Sequence, residues 1–104
     1  MIYIFWTCAD KTEATTIIYA LLEQRLIACA SILDNVTSIY RWEGKIEECN
    51  ECKIIIKTVP QHFNEIKDYI KEHCSYKVPE IVQVDITNVS SSYLSWIERE
   101  TQKL

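Results

Sequence analysis

The chain has 104 residues, 48% of them hydrophobic, which predicts one folded domain over residues 1–104 with a single core. Fifteen acidic side chains against eleven basic ones give a net charge of −4, and no local run of basic residues offsets it. This balance disfavours binding to the phosphate backbone of a nucleic acid.

The first predicted element is a strand over residues 2–7, whose nearly continuous apolar run is typical of a strand covered on both faces. The segment is too short to cross a bilayer and lacks a basic leader, so we expect neither a membrane anchor nor a secretion signal. Five cysteines, an odd number, indicate reduced thiols and therefore a cytoplasmic protein.

The middle of the chain is predicted to form a long β-hairpin. Residues 28–42 form its first arm, with a bulge near Asp34 and Asn35, and residues 45–58 form its second arm. Gly44, the only glycine in the sequence, supplies the positive φ of the turn. Because both arms exceed the usual strand length of roughly five or six residues, we expect the hairpin to project.

Three helices and a last strand complete the prediction. The first helix begins at Asp10, which with Glu13 resembles a capping box, the second begins near Pro60, and the third follows the serines at 90–92. The last strand follows Pro79. The order βαββαβ with an extra C-terminal helix is the ferredoxin-like α+β plan, a four-stranded antiparallel sheet with both main helices on one face.

This plan leaves the other face of the sheet without helices. Because side chains alternate along a strand, strand parity directs apolar side chains to that face as well. The terminal helix or another subunit must then cover them. These side chains are Tyr3, Phe5, Ile55 and Ile81.

Several segments resemble the CutA divalent-cation-tolerance family, in family order and over nearly the whole chain. The most specific is the hairpin segment SIYRWEGKIE at residues 38–47. The others are ACASI at 28–32, IKT at 56–58, CSYKVPEI at 74–81 and YLSWI at 93–97. The resemblance implies a tight homotrimer that takes part in divalent metal (copper) binding, tolerance or response, without enzymatic activity.

The resemblance also implies an alternative function. The fold is similar to that of PII signalling proteins, so the alternative is a non-enzymatic trimeric module that binds a small ligand or a protein in its subunit clefts. The sequence does not identify the protein partner of such a module. Copper or another divalent cation is the expected cofactor, and we expect that none is required for folding.

His73 and Cys74 are the candidate metal ligands, with Cys8 as a candidate third ligand. Imidazole and thiolate are good ligands for copper and zinc, and thiolate favours Cu(I). His73 matches a histidine of some relatives, whereas Cys74 stands where the family usually has histidine. The alternative is a surface histidine that the dipole of a helix C-terminus stabilises.

Cys49 and Cys52 form a C-x-x-C pair that also invites a metal or disulfide interpretation. Residues three apart on a strand point to opposite faces, and their Cα atoms lie about 10 Å apart. A disulfide requires a shorter distance. We therefore predict that these two cysteines are not bridged and bind no zinc.

Six side chains are candidates for a subunit interface or cleft. The aromatic residues among them are expected to pack at the interface rather than to form a ligand platform, because aromatic side chains supply large buried areas. The two charged residues among the six, Lys57 and Glu80, are expected to form an ion pair or to contact an anionic ligand. The six are Tyr40, Trp42, Lys57, Tyr76, Glu80 and Trp96.

Enzymatic and RNA-binding functions are disfavoured. Acylphosphatases share this strand order, but their glycine-rich anion loop is missing from the sequence. RNA-recognition modules share it too, but Phe5 alone does not supply their aromatic and basic signature. Cys29, as a nucleophile, has no histidine base that the sequence can assign to it.

Overall fold

Four strands and three α-helices follow one another in the predicted order within residues 1–103, the part of the chain that the computed structural model describes. This order confirms the ferredoxin-like α+β fold. The elements are β1 (Ile2–Cys8), α1 (Lys11–Glu23), β2 (Cys29–Trp42), β3 (Lys45–Thr58), a 3₁₀ turn (Pro60–His62), α2 (Phe63–His73), β4 (Ile81–Asp85) and α3 (Ser91–Glu100).

The strands form one antiparallel sheet in the order β2-β3-β1-β4. Every second residue of β1, and of β3 from Cys52 to Thr58, points to the face that α1 and α2 cover, and these side chains are almost completely buried. From the helices, Ile17 and Leu21 of α1 and Ile66 and Ile70 of α2 complete this core. The apolar stripes predicted from helical spacing therefore do face the sheet.

Trp6 lies at the centre of this core, on β1, and is fully buried. Its indole Nε1 is the one buried side-chain nitrogen or oxygen in residues 1–103 that has no hydrogen-bond partner. A buried donor without a partner costs about 1–3 kcal/mol. The large apolar area of the indole ring offsets that cost.

The start of α1 forms only half of the predicted capping box. Asp10 caps the helix, since its Oδ1 accepts a hydrogen bond of 2.8 Å from the backbone N–H of Glu13. The carboxylate of Glu13 does not return to Asp10. It accepts hydrogen bonds from the backbone N–H and the hydroxyl of Ser75 instead. This contact ties the first turn of α1 to the segment after α2.

The β2–β3 hairpin has the predicted bulge and turn. Its register shifts between Leu33 and Val36, and Asn35 adopts a left-handed φ of 59°. Glu43 and Gly44 have φ values of 47° and 81°, which is the pattern of a type I′ turn. The molecule measures 44 × 27 × 21 Å, an elongated shape that agrees with a projecting hairpin.

The open face of the sheet carries three of the four predicted apolar side chains. Tyr3, Phe5 and Ile55 point there and are partly exposed. Ile81 was misplaced by the sequence prediction, because it pairs with Trp6 in the register and packs against the main core. Partners across an antiparallel pair point to the same face, so Val82 takes the open face instead.

Helix α3 covers one end of the sheet. Ile97 is fully buried there with Ala28 and Val59, and Trp96 packs against this second, smaller cluster. The hydroxyl of Tyr93 lies 3.7 Å from the Sγ of Cys29 at the start of β2. None of the helices in residues 1–103 has the length and apolar composition that a membrane crossing needs.

Candidate functional site

Three potential metal-ligating side chains meet where β1, α1 and α2 converge. The sulfurs of Cys8 and Cys74 and a carboxylate oxygen of Glu13 all lie within 4.8 Å of one another. Cys8 ends β1 and is fully buried, whereas Cys74 and Glu13 are partly exposed. We call this group the thiol–carboxylate cluster. It unites two of the three predicted ligands with a residue that was not predicted.

The protein environment keeps the thiol of Cys8 protonated at neutral pH. Burial, and after it the negative charge of Glu13, raises the pKa of Cys8 to about 12, although the backbone N–H of Asp10 acts in the opposite direction. A cation that binds here must displace the proton of that thiol. Cation binding is therefore expected to release a proton and to strengthen as pH rises.

The donor set suits a thiophilic cation. Two sulfurs and a carboxylate oxygen match the preferences of Zn²⁺ and Cu(I). Two sulfur ligands on one tetrahedral ion, each at about 2.3 Å from it, lie roughly 3.8 Å apart. The ligand atoms of the cluster lie within 4.8 Å of one another, so only a small side-chain movement would bring the two sulfurs to this spacing.

His73 lies outside the thiol–carboxylate cluster. Its Nδ1 is 2.9 Å from the carbonyl oxygen of Tyr69, and its ring stacks on the Tyr69 ring with the centroids 3.9 Å apart. Adjacent residues at a helix end point in different directions, so His73 and Cys74 cannot both face the cluster with this backbone conformation. Glu13 takes the third position in its place.

A second feature is a cleft on the open face of the sheet, beside the segment between α2 and β4. Its cavity has a volume of about 610 Å³. It brings together four of the six predicted cleft residues, namely Tyr40, Trp42, Tyr76 and Glu80. Trp96 lies in the α3 cluster and Lys57 lies at the far end of β3, so neither lines this cavity.

Within one chain, Lys57 and Glu80 do not form an ion pair with each other. Glu80 pairs instead with Lys53, whose Nζ lies 3.2 and 3.3 Å from the two carboxylate oxygens. Lys57 donates a hydrogen bond of 2.6 Å to the hydroxyl of Ser31. The two lysines are four residues apart on one strand, about 13 Å, and the backbone pairing of Glu80 with Thr7 places it beside Lys53.

The cleft also contains Glu51, which was not predicted as a cleft residue. Glu51 is only 8% exposed, and the hydroxyl of Tyr76 donates a hydrogen bond of 3.1 Å to its carboxylate. Burial, followed by the charge of Glu51, raises the pKa of Tyr76 far above its usual value. Tyr76 therefore stays a neutral donor. The alternation of Glu51 with Lys53 on one strand face is the signal that would have revealed it.

The prediction that the C-x-x-C pair forms no disulfide is confirmed. All five cysteines are free thiols, so Cys49 and Cys52 are not bridged. The thiol of Cys52 donates a hydrogen bond of 3.1 Å to Asp34, and Cys49 lies 3.6 Å from the hydroxyl of Tyr40. Over residues 1–103, the thiol–carboxylate cluster is the only three-residue group with metal-site spacing, and neither cysteine belongs to it.

Fold and site together define a class of protein, a small ferredoxin-like α+β domain with a projecting hairpin and a partly exposed thiol–carboxylate cluster. The family of CutA1 divalent ion tolerance proteins matches residues 2–100, and the chain belongs to this family. The predicted resemblance is thereby confirmed.

Individual relatives are similar over almost their whole length. The divalent-cation tolerance protein CutA of Pyrococcus horikoshii is 41% identical over 103 residues, which cover 99% of this chain and 100% of that protein. The protein of the same name from Thermus thermophilus is 39% identical over 95 residues, or 91% of this chain and 92% of the relative.

Solved structures agree with the fold. CutA1 from Pyrococcus horikoshii superposes with a TM-score of 0.92 at 40% identity, covering 99% of this chain and all of that one. The periplasmic divalent cation tolerance protein CutA from Archaeoglobus fulgidus gives 0.94 at 35% identity, covering 98% and 100%. CutA1 from Oryza sativa gives 0.93 at 28% identity, covering 97% and 93%.

Proposed function

We propose that this protein acts in divalent cation tolerance by binding metal ions, copper first among them, at the thiol–carboxylate cluster. The convergence of Cys8, Cys74 and Glu13 within 4.8 Å is the observation that carries the proposal. The names of the relatives support the same function. The two sulfurs favour copper as Cu(I), since soft thiolates select that ion.

The experiment is a titration of the reduced protein with Cu(I) in the absence of oxygen. We expect about one ion per chain, with thiolate-to-copper absorption in the ultraviolet. Cys8→Ser and Cys74→Ser should each weaken binding by tenfold or more, because each removes a sulfur that would bind the copper ion directly. Glu13→Gln should weaken it less.

His73→Ala is the matched control, since it alters a neighbour of Cys74 that lies outside the cluster. It should leave copper affinity unchanged. Copper binding that survives both serine changes would place the metal elsewhere and contradict the proposal. So would a larger loss in the His73 variant than in the Cys74 variant.

We also propose that the protein is a homotrimer built through its hairpin. The outer part of the hairpin carries Ile39 and Ile46, which are 67% and 72% exposed, and Trp42, which is 40% exposed. Apolar side chains of this size at a strand pair are typical of a contact surface. Sedimentation equilibrium should give three times the chain mass of 12.2 kDa.

We infer that this chain forms one domain, and that the protein is non-enzymatic and works in the cytoplasm. Both histidines are engaged by backbone carbonyls, His62 by that of Thr101 and His73 by that of Tyr69. Neither forms a hydrogen bond with a cysteine within residues 1–103, so a thiol nucleophile gains no base. Five free thiols suit a reducing compartment.

A further inference from the structure

Two thiols of the thiol–carboxylate cluster are close enough to react with each other. The sulfurs of Cys8 and Cys74 lie within 4.8 Å, and the sulfurs of a disulfide are about 2.05 Å apart. The gap between them therefore has to close by about 3 Å or less. Rotation of one cysteine between staggered rotamers displaces its sulfur by about 3 Å, so a change of rotamer is of the size that the bond requires.

The backbone on the Cys74 side can follow such a movement. Cys8 is the last residue of β1, whereas Cys74 directly follows α2 with an extended backbone, φ −80° and ψ 139°. Residues 74–80 form neither helix nor strand. The carboxylate of Glu13 holds the backbone N–H and the hydroxyl of Ser75. This contact anchors the segment and keeps Cys74 beside Cys8.

The two thiols differ in their access to solvent, and this difference sets the order of reaction. Cys8 is 0% exposed, whereas Cys74 is partly exposed. An oxidant in solution therefore meets Cys74 first. Hydroperoxides oxidise a thiol to a sulfenic acid, which condenses with a neighbouring thiol to a disulfide. Cys74 is placed to react with the oxidant, and Cys8 is placed to complete the bridge.

Cys52 is the other thiol beside Cys8. The two are cross-strand partners of β1 and β3, so their side chains share one face of the sheet. Cys52 is 1% exposed, and its thiol donates a hydrogen bond of 3.1 Å to Asp34. An oxidant in solution reaches neither member of that pair. Cys8 and Cys74 combine a buried thiol with an accessible one, and they are the pair that such an oxidant can bridge.

We propose that Cys74 is an oxidation site for hydroperoxides and that Cys8 closes it as a reversible disulfide. In the first step the Cys74 thiol takes one oxygen from hydrogen peroxide, which leaves as water, and becomes a sulfenic acid. In the second step the sulfur of Cys8 bonds to that of Cys74, and the sulfenic oxygen leaves as a second water with the proton of Cys8. Two molecules of a small thiol reduce the bridge and become a disulfide themselves.

The bridge would also close the metal site, a consequence that rests on the proposed function. Metal ions bind thiolates, and a disulfide between Cys8 and Cys74 removes both sulfur ligands at once. Glu13 would then be the only ligand left in the cluster. A hydroperoxide would therefore release the bound ion, and a cellular thiol would restore the site. In a reducing compartment disulfides of this kind are transient.

The first test maps the bridge in the full-length protein in its native assembly. The reduced protein is treated with hydrogen peroxide beside a metal chelator, its remaining thiols are blocked, and trypsin is added. Cleavage after lysine releases Cys8 in residues 1–11 and Cys74 in residues 72–77. We expect these two peptides to be linked, at an unchanged chain mass of 12.2 kDa, and to separate with dithiothreitol.

Three outcomes of this mapping would overturn the proposal. One is a bridge between Cys8 and Cys52, and another is a bridge between two chains. The third is an unbridged Cys74 at a peroxide dose that oxidises Cys49, which is also partly exposed. That result would show that the assembly or the backbone keeps the two sulfurs apart.

The second test checks the order of reaction with variants. In Cys8→Ser the sulfenic acid of Cys74 has no partner, so its labelling by dimedone should rise at least about tenfold over wild type. In Cys74→Ser the buried Cys8 should stay reduced. Cys52→Ser is the matched control and should form the bridge as the wild type does. Oxidation of Cys8 in Cys74→Ser at the wild-type rate would contradict the assignment, and circular dichroism checks that each variant is folded.

The last test separates this proposal from the proposed function. Reduced and peroxide-treated protein are each titrated with Cu(I) without oxygen. We expect oxidation to weaken copper binding by tenfold or more, and dithiothreitol followed by its removal to restore it. A mapped bridge in a protein that binds no copper when reduced would refute the metal function and leave the oxidation site standing. Copper binding without any bridge would refute the oxidation site alone, and equal binding by both forms would refute the coupling between them.

Discussion

The inner and outer halves of the β2–β3 hairpin share one ladder of backbone hydrogen bonds but differ in what surrounds them. In the inner half, Ile54 and Ile56 are fully buried beneath α1 and α2. In the outer half, Ile39 and Ile46 are mostly exposed. Strand pairing alone therefore does not decide which apolar side chains form a core. The position of the helices decides it.

The bulge at Asp34 and Asn35 is the boundary between the halves. One extra residue shifts the register and strengthens the local twist. Inside the boundary the hairpin belongs to the fold of its own chain. Outside it, the same strands present apolar side chains that only another molecule can cover.

The largest expected effect is a loss of stability, which should differ between the inner and outer halves of the hairpin. Ile54→Ala should lower the free energy of unfolding by about 2–5 kcal/mol, because it leaves a cavity under the helices. Ile46→Ala is its matched control in the outer half and should change the stability of an isolated chain by less than about 0.5 kcal/mol. Urea unfolding at several protein concentrations measures both. Equal losses that do not vary with concentration would contradict the distinction.

A change at the tip of the hairpin should act on assembly. Trp42→Glu replaces an exposed aromatic side chain of the outer half by a charge, so we expect the trimer to dissociate at least about tenfold more readily. Circular dichroism should still show the folded sheet and helices. Trp42→Phe, which keeps an aromatic ring, should remain assembled.

Sedimentation equilibrium distinguishes the outcomes of this tip variant. Wild-type protein that sediments at 12.2 kDa would refute the trimer and remove the reason for the exposed outer half. A Trp42→Glu variant that keeps the wild-type mass would place the contact elsewhere on the molecule.

The smallest expected effect concerns the boundary itself and appears at high pH. Burial, together with the hydrogen bond to Asp34, raises the pKa of the Cys52 thiol from 9.0 to about 11. The folded chain therefore holds this proton more tightly than the unfolded chain does. The resulting stability is complete below pH 9 and is lost as the pH rises from 9 to 11.

Cys52→Ala should remove this part of the alkaline loss, which is on the order of 1 kcal/mol or less because solvent screens the charge of the thiolate. Chemical unfolding at pH 8, 9, 10 and 11 measures it, with Cys49→Ala as the control on the opposite face of the strand. Other groups with raised pKa values, such as Tyr93, titrate in both variants. Parallel curves for the wild type and Cys52→Ala would contradict the assignment.

Much of the fold could be predicted from local signals. Asp10 marks a helix start, Gly44 marks a hairpin turn, and the buried residues of β3 from Cys52 to Thr58 alternate with a period of two. Each signal acts within a few residues, so the sequence displays it directly. The misplacement of Ile81 shows the limit, because the register of an edge strand depends on a partner far away in the chain.

The candidate sites were harder to predict because their residues meet only in the folded chain. Cys8 and Cys74 lie 66 positions apart, and chemistry alone suggested that they belong together. Glu13 looked like half of a capping box, so its second role in the cluster was hidden. Glu51 is one of several acidic residues on the second hairpin arm, and only its burial beside Tyr76 distinguishes it.

The three tryptophans give the protein a built-in set of optical reporters. Trp6 lies in the buried apolar core, Trp42 lies on the outer hairpin, and Trp96 lies on α3. An indole in such apolar surroundings emits at shorter wavelengths than one that contacts water. Variants that retain one tryptophan each would therefore report core melting, separation of subunits and release of the C-terminal helix as three distinct signals.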